Sequence, residues 1–310
     1  MSAGVPSHTL QADQRRLRHG TGVPDGLRNF VRAFADTPPR TGFALVRGLE
    51  IDELPPTPPK HSTGTLAGHS STEYLMVVGE LLGTLVGYAD EKNGALVHDV
   101  HAVRGEETRI ENSGAMDFGF HTENVHHPLR PDFLGLLCLR QDHDRLGTTQ
   151  LSSIREAVDA LPASTVDALR ACRFQSLYPT SFTRSATGPR PMSEPHPVLF
   201  GDAPDLFMRF NVHNTRAPDA AGDAALRELS AALNRACHRL LLEPGDLVII
   251  NNHVAAHSRS AFKPRYDGRD RWLRRFYSLA AVPEWAERIM SGPHVIPPVS
   301  DVYSARPVRV

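Results

Sequence analysis

Gly119-Phe120-His121-Thr122-Glu123 carries the sharpest chemical signal in the chain. In an extended strand successive side chains alternate faces, so His121 and Glu123 project together while Thr122 points away. An imidazole and a carboxylate on one face supply two of the three ligands of a 2-His-1-carboxylate site, which holds iron(II) and leaves positions open for other ligands. His257, just beyond an apolar strand in Asn252-His253-Val254-Ala255-Ala256-His257-Ser258-Arg259-Ser260, is the candidate third ligand. His-x-Glu alone is a weak signal in a chain with 16 histidines. The zinc-protease pattern needs His directly followed by Glu and a second His on the same helical turn, and neither holds. His126 and His127 read as a surface turn before Pro128.

A second signal is basic. Arg265, Arg269, Arg271, Arg274 and Arg275 follow His257 closely. A charge run is ordinarily a solvated face, but Arg271 and Arg275 flank Trp272, Leu273 and Phe276, which implies a partly buried strand. A buried guanidinium wants a carboxylate, which it grips with two parallel hydrogen bonds. 2-Oxoglutarate offers a carboxylate at each end.

Such groups need rigid elements to position them. Apolar residues at helical spacing predict a helix over Pro24–Phe34, and Glu73–Leu85 reads as a buried helix. Phe43-Ala44-Leu45-Val46 is an expected strand. Further strands are expected at Ala95–Val103, Asp117–Glu123, Phe133–Leu139, Thr148–Ser152, Phe174–Tyr178, Leu206–Val212, Leu247–Asn251 and Trp272–Ala280. Two helices follow Ser153, one through Ala160 and one over Ser164–Arg173, and another spans Ala224–Leu242. Many short strands with helices outside suggest a barrel or sandwich, mainly β with flanking helices. Thr180–His196 and His213–Gly222 lack regular pattern, and the former is a candidate active-site lid.

The 310 residues are expected to form a single domain, with residues 1–20 a flexible N-terminus and the Pro55–Lys60 stretch an internal loop. A net charge of −1 offers no footprint for nucleic acid or an anionic membrane. No run of about 18 apolar residues is present, so no membrane-spanning helix is expected. The N-terminus lacks an apolar signal core, and the three scattered cysteines, Cys138, Cys172 and Cys237, fit a reducing cytoplasm and read as core fillers.

Taken in order, these stretches make a pattern. Phe120-His121-Thr122-Glu123 is followed by His127-Pro128-Leu129-Arg130-Pro131-Asp132, Leu134-Gly135-Leu136-Leu137-Cys138-Leu139-Arg140 and Gly147-Thr148-Thr149. Asn251–Leu273 then includes Arg265-Tyr266-Asp267-Gly268 and Asp270-Arg271-Trp272-Leu273. The chain resembles, over roughly Thr41–Leu279, the clavaminate-synthase-like branch of the iron/2-oxoglutarate oxygenases, which includes arginine and asparagine β-hydroxylases of peptide-antibiotic pathways.

The resemblance implies a double-stranded β-helix, or jelly-roll, core. It implies His121, Glu123 and His257 as iron ligands, Arg271 on the distal carboxylate of 2-oxoglutarate, and Thr149 as a supporting hydroxyl. Arg275 matches the position that holds a substrate α-carboxylate, Glu91 lies near one that contacts the amine, and Asn112 matches one that touches substrate. Where relatives carry acids that read the side chain, this chain has Arg209 and Asn211, which argues against a cationic side chain. His253 stands where relatives often have arginine. The activity implied is hydroxylation of an unactivated carbon, C3 by the relatives' habit, of a free L-amino acid or derivative in natural-product biosynthesis, using Fe(II), 2-oxoglutarate and O2. Desaturation or cyclisation by the same cofactors, a different metalloenzyme on a similar barrel, and a catalytically inactive binding relative are the alternatives. A homo-oligomer is compatible with everything above.

Overall fold

Strands whose side chains alternate between two apolar environments build two facing sheets. The computed structural model describes residues 8–11, 23–61, 66–183 and 190–307; of Glu111, Asn112, Ser181 and Thr183 only the backbone is described. The strands are β1 (Thr9–Gln11), β2 (Phe43–Arg47), β3 (Thr84–Tyr88), β4 (Val97–His101), β5 (Phe118–His121), β6 (Phe133–Arg140), β7 (Thr149–Ser153) and β8 (Gln175–Ser176). They continue with β9 (Leu199–Phe200), β10 (Phe207–Met208), β11 (Thr215–Arg216), β12 (His238–Leu240), β13 (Leu247–Asn251), β14 (Ala255–Arg259), β15 (Trp272–Leu279) and β16 (Val295–Ile296).

The larger sheet runs β1-β2-β13-β6-β15-β3-β16, with β4 also paired to β15, and the smaller runs β12-β7-β14-β5. Between them lies a core of Phe43, Leu45, Val86, Leu134, Leu136, Val248, Ile250, Leu273 and Tyr277 from the first sheet and Leu151, Leu240 and Ala255 from the second. Alternate residues of the larger sheet (Ala44, Val46, Leu137, Ile249, Trp272, Phe276) face outward onto helices α1 (Asp25–Asp36) and α2 (Ser70–Leu82). Phe120 and Ala256 of the smaller sheet likewise face α3 (Ala163–Arg170) and α4 (Ala220–Arg235). Each sheet thus spends one side chain in two on the inter-sheet space and the other on helix packing. Gly135 opposes Phe276 in the ladder, where an added Cβ would fall 2.1 Å from the ring.

Most expected strands and helices are present, with shifted ends. Three differ in kind. The helix expected through Leu85 stops at Leu82, because Gly83 at φ 146° packs against the carbonyl of Leu279 and turns the chain into β3. The helix expected through Leu242 stops at Arg235, and His238–Leu240 pairs with β7 to place Leu240 in the inter-sheet core. Within the N-terminus expected to be flexible, Thr9–Gln11 pairs in parallel with β2; residues 1–7 and 12–20 lie outside the described residues. In the candidate lid, Thr180–Thr183 forms a 3-10 turn and Met192 and His196 are bridged to Leu177 and Phe174, while residues 184–189 lie outside the described residues. Cys138 is core as expected, but Cys237 is half-buried and Cys172 exposed. Among the described residues no helix is long and apolar enough to cross a membrane.

Candidate active site

Strand alternation delivers the metal candidates to the inner face of the smaller sheet. Phe120 turns outward to the helices, so His121 turns inward; Ala256 turns outward, so His257 turns inward. β5 and β14 are antiparallel with His257 opposite His121. Glu123 follows β5 by two residues, and its Oε1 lies 3.4 Å from His257 Nε2 and 3.9 Å from His121 Nε2. All three side chains are buried, and one ligand atom from each lies within 4.8 Å of the others, close enough to hold one metal ion.

The surroundings hold these groups in a ligating form. His121 Nδ1 lies 2.9 Å from the Gly119 carbonyl, which fixes the ring and leaves the Nε2 lone pair turned to the site. Burial, then the neighbouring His257, pushes His121 down to about 3, so the imidazole is neutral at ordinary pH. Burial pushes the Glu123 carboxyl up, but the Arg275 guanidinium and the two imidazoles outweigh it and hold the group well below the usual carboxylate range. Asn252, fully buried, clasps the Glu123 backbone: its Oδ1 accepts from Glu123 N at 2.7 Å and its Nδ2 donates to the carbonyls of Glu123 (3.2 Å) and Pro131 (2.8 Å). Asn252 was missed as a positioning residue because an Asn after a strand reads as a turn former.

The triad opens onto a cavity of about 400 Å³ between the sheets. Arg271, on the same side of β15 as Leu273 and Arg275, enters it from the larger sheet. Its Nε donates to the Gly147 carbonyl at 3.1 Å and its Nη2 to Thr149 Oγ1 at 3.0 Å. Arg271 is 3% exposed, yet no acidic side chain among the described residues pairs with it. Asp142 attracts it, but that carboxylate accepts from the Leu146 and Gly147 N–H groups and does not bridge to it, so this buried cation suits an anionic ligand. Arg259 lies beside it, tied to the carbonyls of Gly114 and Ile110.

The other expected site residues divide. Arg275, Glu91 and Asn211 line the cavity. Arg275 bridges two carboxylates, donating from Nη1 to Glu123 at 2.6 Å and from Nη2 to Glu91 at 2.7 Å, with its guanidinium 4.5 Å over the Tyr277 ring. Asn211 Oδ1 accepts from the backbone N–H groups of His213 and Asn214. Asn112 lies in the short helix Ile110–Ser113, and its side chain is outside the described residues. Arg209 does not line the cavity; its side chain points along the neighbouring loop, where Nε donates to the Val125 carbonyl. His126 and His127 are not a surface turn: they are 0% and 1% exposed, packed around Tyr178, Phe182 and Tyr88. His253 bridges Arg130 and Asp132 at 2.5 Å each, which accounts for a histidine at that position as the middle of a structural relay.

The chain is similar to several known proteins. The family described as taurine catabolism dioxygenase TauD, TfdA matches residues 29–277. L-asparagine oxygenase of Streptomyces coelicolor is 38% identical over 260 residues, covering 83% of this chain and 76% of that protein. Clavaminate synthase 2 of Streptomyces clavuligerus is 32% identical over 262 residues, covering 82% and 79%. A solved structure of asparagine oxygenase in complex with Fe(II), 2S,3S-3-hydroxyasparagine and succinate superposes with a TM-score of 0.84 at 32% identity, covering 94% of this chain and 99% of that one.

Proposed function

The chain belongs to the taurine catabolism dioxygenase TauD, TfdA family, and from that premise we propose that it is an Fe(II)- and 2-oxoglutarate-dependent hydroxylase of a free L-amino acid or derivative, acting at an unactivated carbon, C3 by analogy with the hydroxyasparagine complex. The observation that carries this reading is the clustering of His121, Glu123 and His257 beside a buried Arg271 that has no acidic partner among the described residues. When bound, iron and 2-oxoglutarate supply an oxidant from O2, with 2-oxoglutarate leaving as succinate and CO2.

The chain's own residues then bind, orient and shield. The two imidazole nitrogens and the Glu123 carboxylate match the hard, nitrogen-and-oxygen donor set of non-haem iron(II). Arg271 and Thr149 would hold the distal carboxylate of 2-oxoglutarate. Arg275 and Glu91, at the substrate side of the triad, offer a cation for an α-carboxylate and an anion for an α-amine. Asn252 and Arg275 keep Glu123 aimed at the metal position. The two facing sheets support a double-stranded β-helix core within one oxygenase domain, and a net charge of −1 supports a small-molecule substrate over a nucleic-acid or anionic-membrane partner.

The test is incubation with iron(II), ascorbate, 2-oxoglutarate and a panel of L-amino acids in air, read by mass spectrometry. Substrate-dependent succinate with a product heavier by one oxygen supports hydroxylation; a product lighter by two hydrogens turns the reading to desaturation or cyclisation. No 2-oxoglutarate binding in the presence of iron(II) would leave a different metalloenzyme or an inactive relative.

A further inference from the structure

We propose that His213 is a positioning residue for the metal ligand His121, acting through the backbone of Gly119; this rests on the metal-centre reading above. The ladder between β5 and β14 is irregular beside that ligand. His257 stands opposite His121 and Arg259 opposite Phe118, so Gly119 and Phe120 together face Ser258 alone. An extra residue of this kind is a β-bulge, which disrupts the local ladder and re-aims neighbouring side chains. Glycine adds to the looseness, because its backbone has the widest freedom. Yet the Gly119 carbonyl is the group that takes His121 Nδ1 at 2.9 Å and turns Nε2 to the metal position. The aim of the ligand therefore rests on a bulged glycine.

His213 supplies a constraint on that glycine from outside the ladder. Its Nε2 accepts the Gly119 N–H at 3.1 Å, and its ring stacks on Phe118 at 5.7 Å between centroids, with 21° between the planes. Phe118 in turn packs on the His121 ring at 4.2 Å. One imidazole thus holds both the peptide that enters Gly119 and the ring that backs the ligand. Its own place is set by β5. Residues 210–212 run along the edge of β5 away from β14: Thr122 N donates to the Phe210 carbonyl at 2.7 Å, Val212 N donates to the Phe120 carbonyl at 3.1 Å, and Asn211 is bridged to His121. Asn211 Oδ1 then accepts from His213 N at 2.9 Å. The contact is close enough to exclude a side chain at position 119, where an added Cβ would fall 2.6 Å from Val212 Cγ1 and 3.2 Å from His213 Nε2. His213 also lines the cavity, so the rival role is contact with substrate alone. That role leaves metal binding untouched when no substrate is present.

The probe is Co(II), whose visible absorption reports the arrangement of its ligands, titrated into metal-free protein with no 2-oxoglutarate or amino acid present. His257→Ala is run beside the native chain. No binding by the native chain, or equal binding by His257→Ala, defeats the metal-centre reading and this proposal with it. With the centre established, His213→Phe keeps the ring stack and removes the acceptor. It is expected to bind Co(II) about tenfold more weakly, the low end of the range for loss of a group that supports a ligand, with an altered visible spectrum and a native far-ultraviolet circular dichroism. His213→Gln, whose side-chain carbonyl can reach the same N–H, is expected to bring the affinity back to within about threefold of native, less than the worth of a typical hydrogen bond, and to restore the spectrum. Native affinity and spectrum in His213→Phe would overturn the proposal while leaving the metal centre in place. Equal losses in the Phe and Gln variants would make the ring a packing element and overturn it as well. Should His213→Phe not fold, His213→Ala is read in its place, and loss of the fold in both would make His213 a residue of the fold and overturn the proposal.

Discussion

His121 and His257 stand opposite one another in the antiparallel ladder of β5 and β14, their ring centroids 4.1 Å apart. That pairing comes from backbone register alone, so the site is as rigid as the smaller sheet. Glu123, two residues past the strand end, lacks ladder bonds and depends on Asn252 instead. Asn252→Ala is therefore expected to weaken iron(II) binding by about 10- to 100-fold, the range for loss of a group that supports a ligand. It should also cost about 1–3 kcal/mol of stability through unpaired buried backbone groups. Anaerobic metal titration and denaturant unfolding check the two effects separately.

Arg271 makes its case through a missing partner. Removing one partner of a buried, hydrogen-bonded charge pair costs about 2–5 kcal/mol. Arg271→Ala should accordingly weaken 2-oxoglutarate roughly 30- to several-thousand-fold while leaving iron affinity near native. A 2-oxo acid without the distal carboxylate should bind native and variant protein about equally. Equal loss for both acids would place Arg271 elsewhere in the mechanism.

Gly147 sits against that arginine. An added Cβ would fall 2.8 Å from both Arg271 Cδ and Asp142 Oδ1, and the Gly147 carbonyl is the acceptor for Arg271 Nε. Gly147→Ala should displace the guanidinium and raise the KM for 2-oxoglutarate about tenfold or more, with metal binding unchanged. A native KM would show that Arg271 relaxes without losing its aim.

Burial sets the acid behaviour. His98, His127 and His196 are each pushed down to about 3, burial being the largest cause. Unfolded, a histidine titrates near 6.5. Between those values the unfolded chain binds more protons than the folded one, so the stabilisation is present above about pH 6.5 and is lost as pH falls toward 3. Each of the three adds a slope of up to about 1.4 kcal/mol per pH unit in that window. Melting temperatures of the metal-free protein from pH 7.5 to 4.5 should fall steadily; a flat profile would mean these rings are protonated in the folded state.

Much of this site was legible in the sequence because strand alternation is a strict rule. His121 with Glu123, and Arg271 with Arg275, could be placed on shared faces from spacing alone, and the order of the motifs linked them to His257. What stayed hidden depended on long-range packing. His126 and His127 precede a proline and look like a turn, and only the packing of Tyr178 and Phe182 from a segment some 50 residues away buries them. Arg209 differs from its expected place for a related reason, since the loop after Glu123 offers the Val125 carbonyl to it. The relay through His253 joins two segments about 120 residues apart, and the pairing of β1 with β2 joins short strands about 35 residues apart; neither leaves a local pattern.

The most direct measurement is anaerobic titration of iron(II), in the presence of 2-oxoglutarate, into native protein, His257→Ala and Arg271→Ala. Native protein should bind one iron(II) per chain, His257→Ala should lose that binding, and Arg271→Ala should keep the iron but lose 2-oxoglutarate. Native-like iron binding by His257→Ala, or no binding by the native chain, would contradict the assignment of His121, Glu123 and His257 as the metal centre.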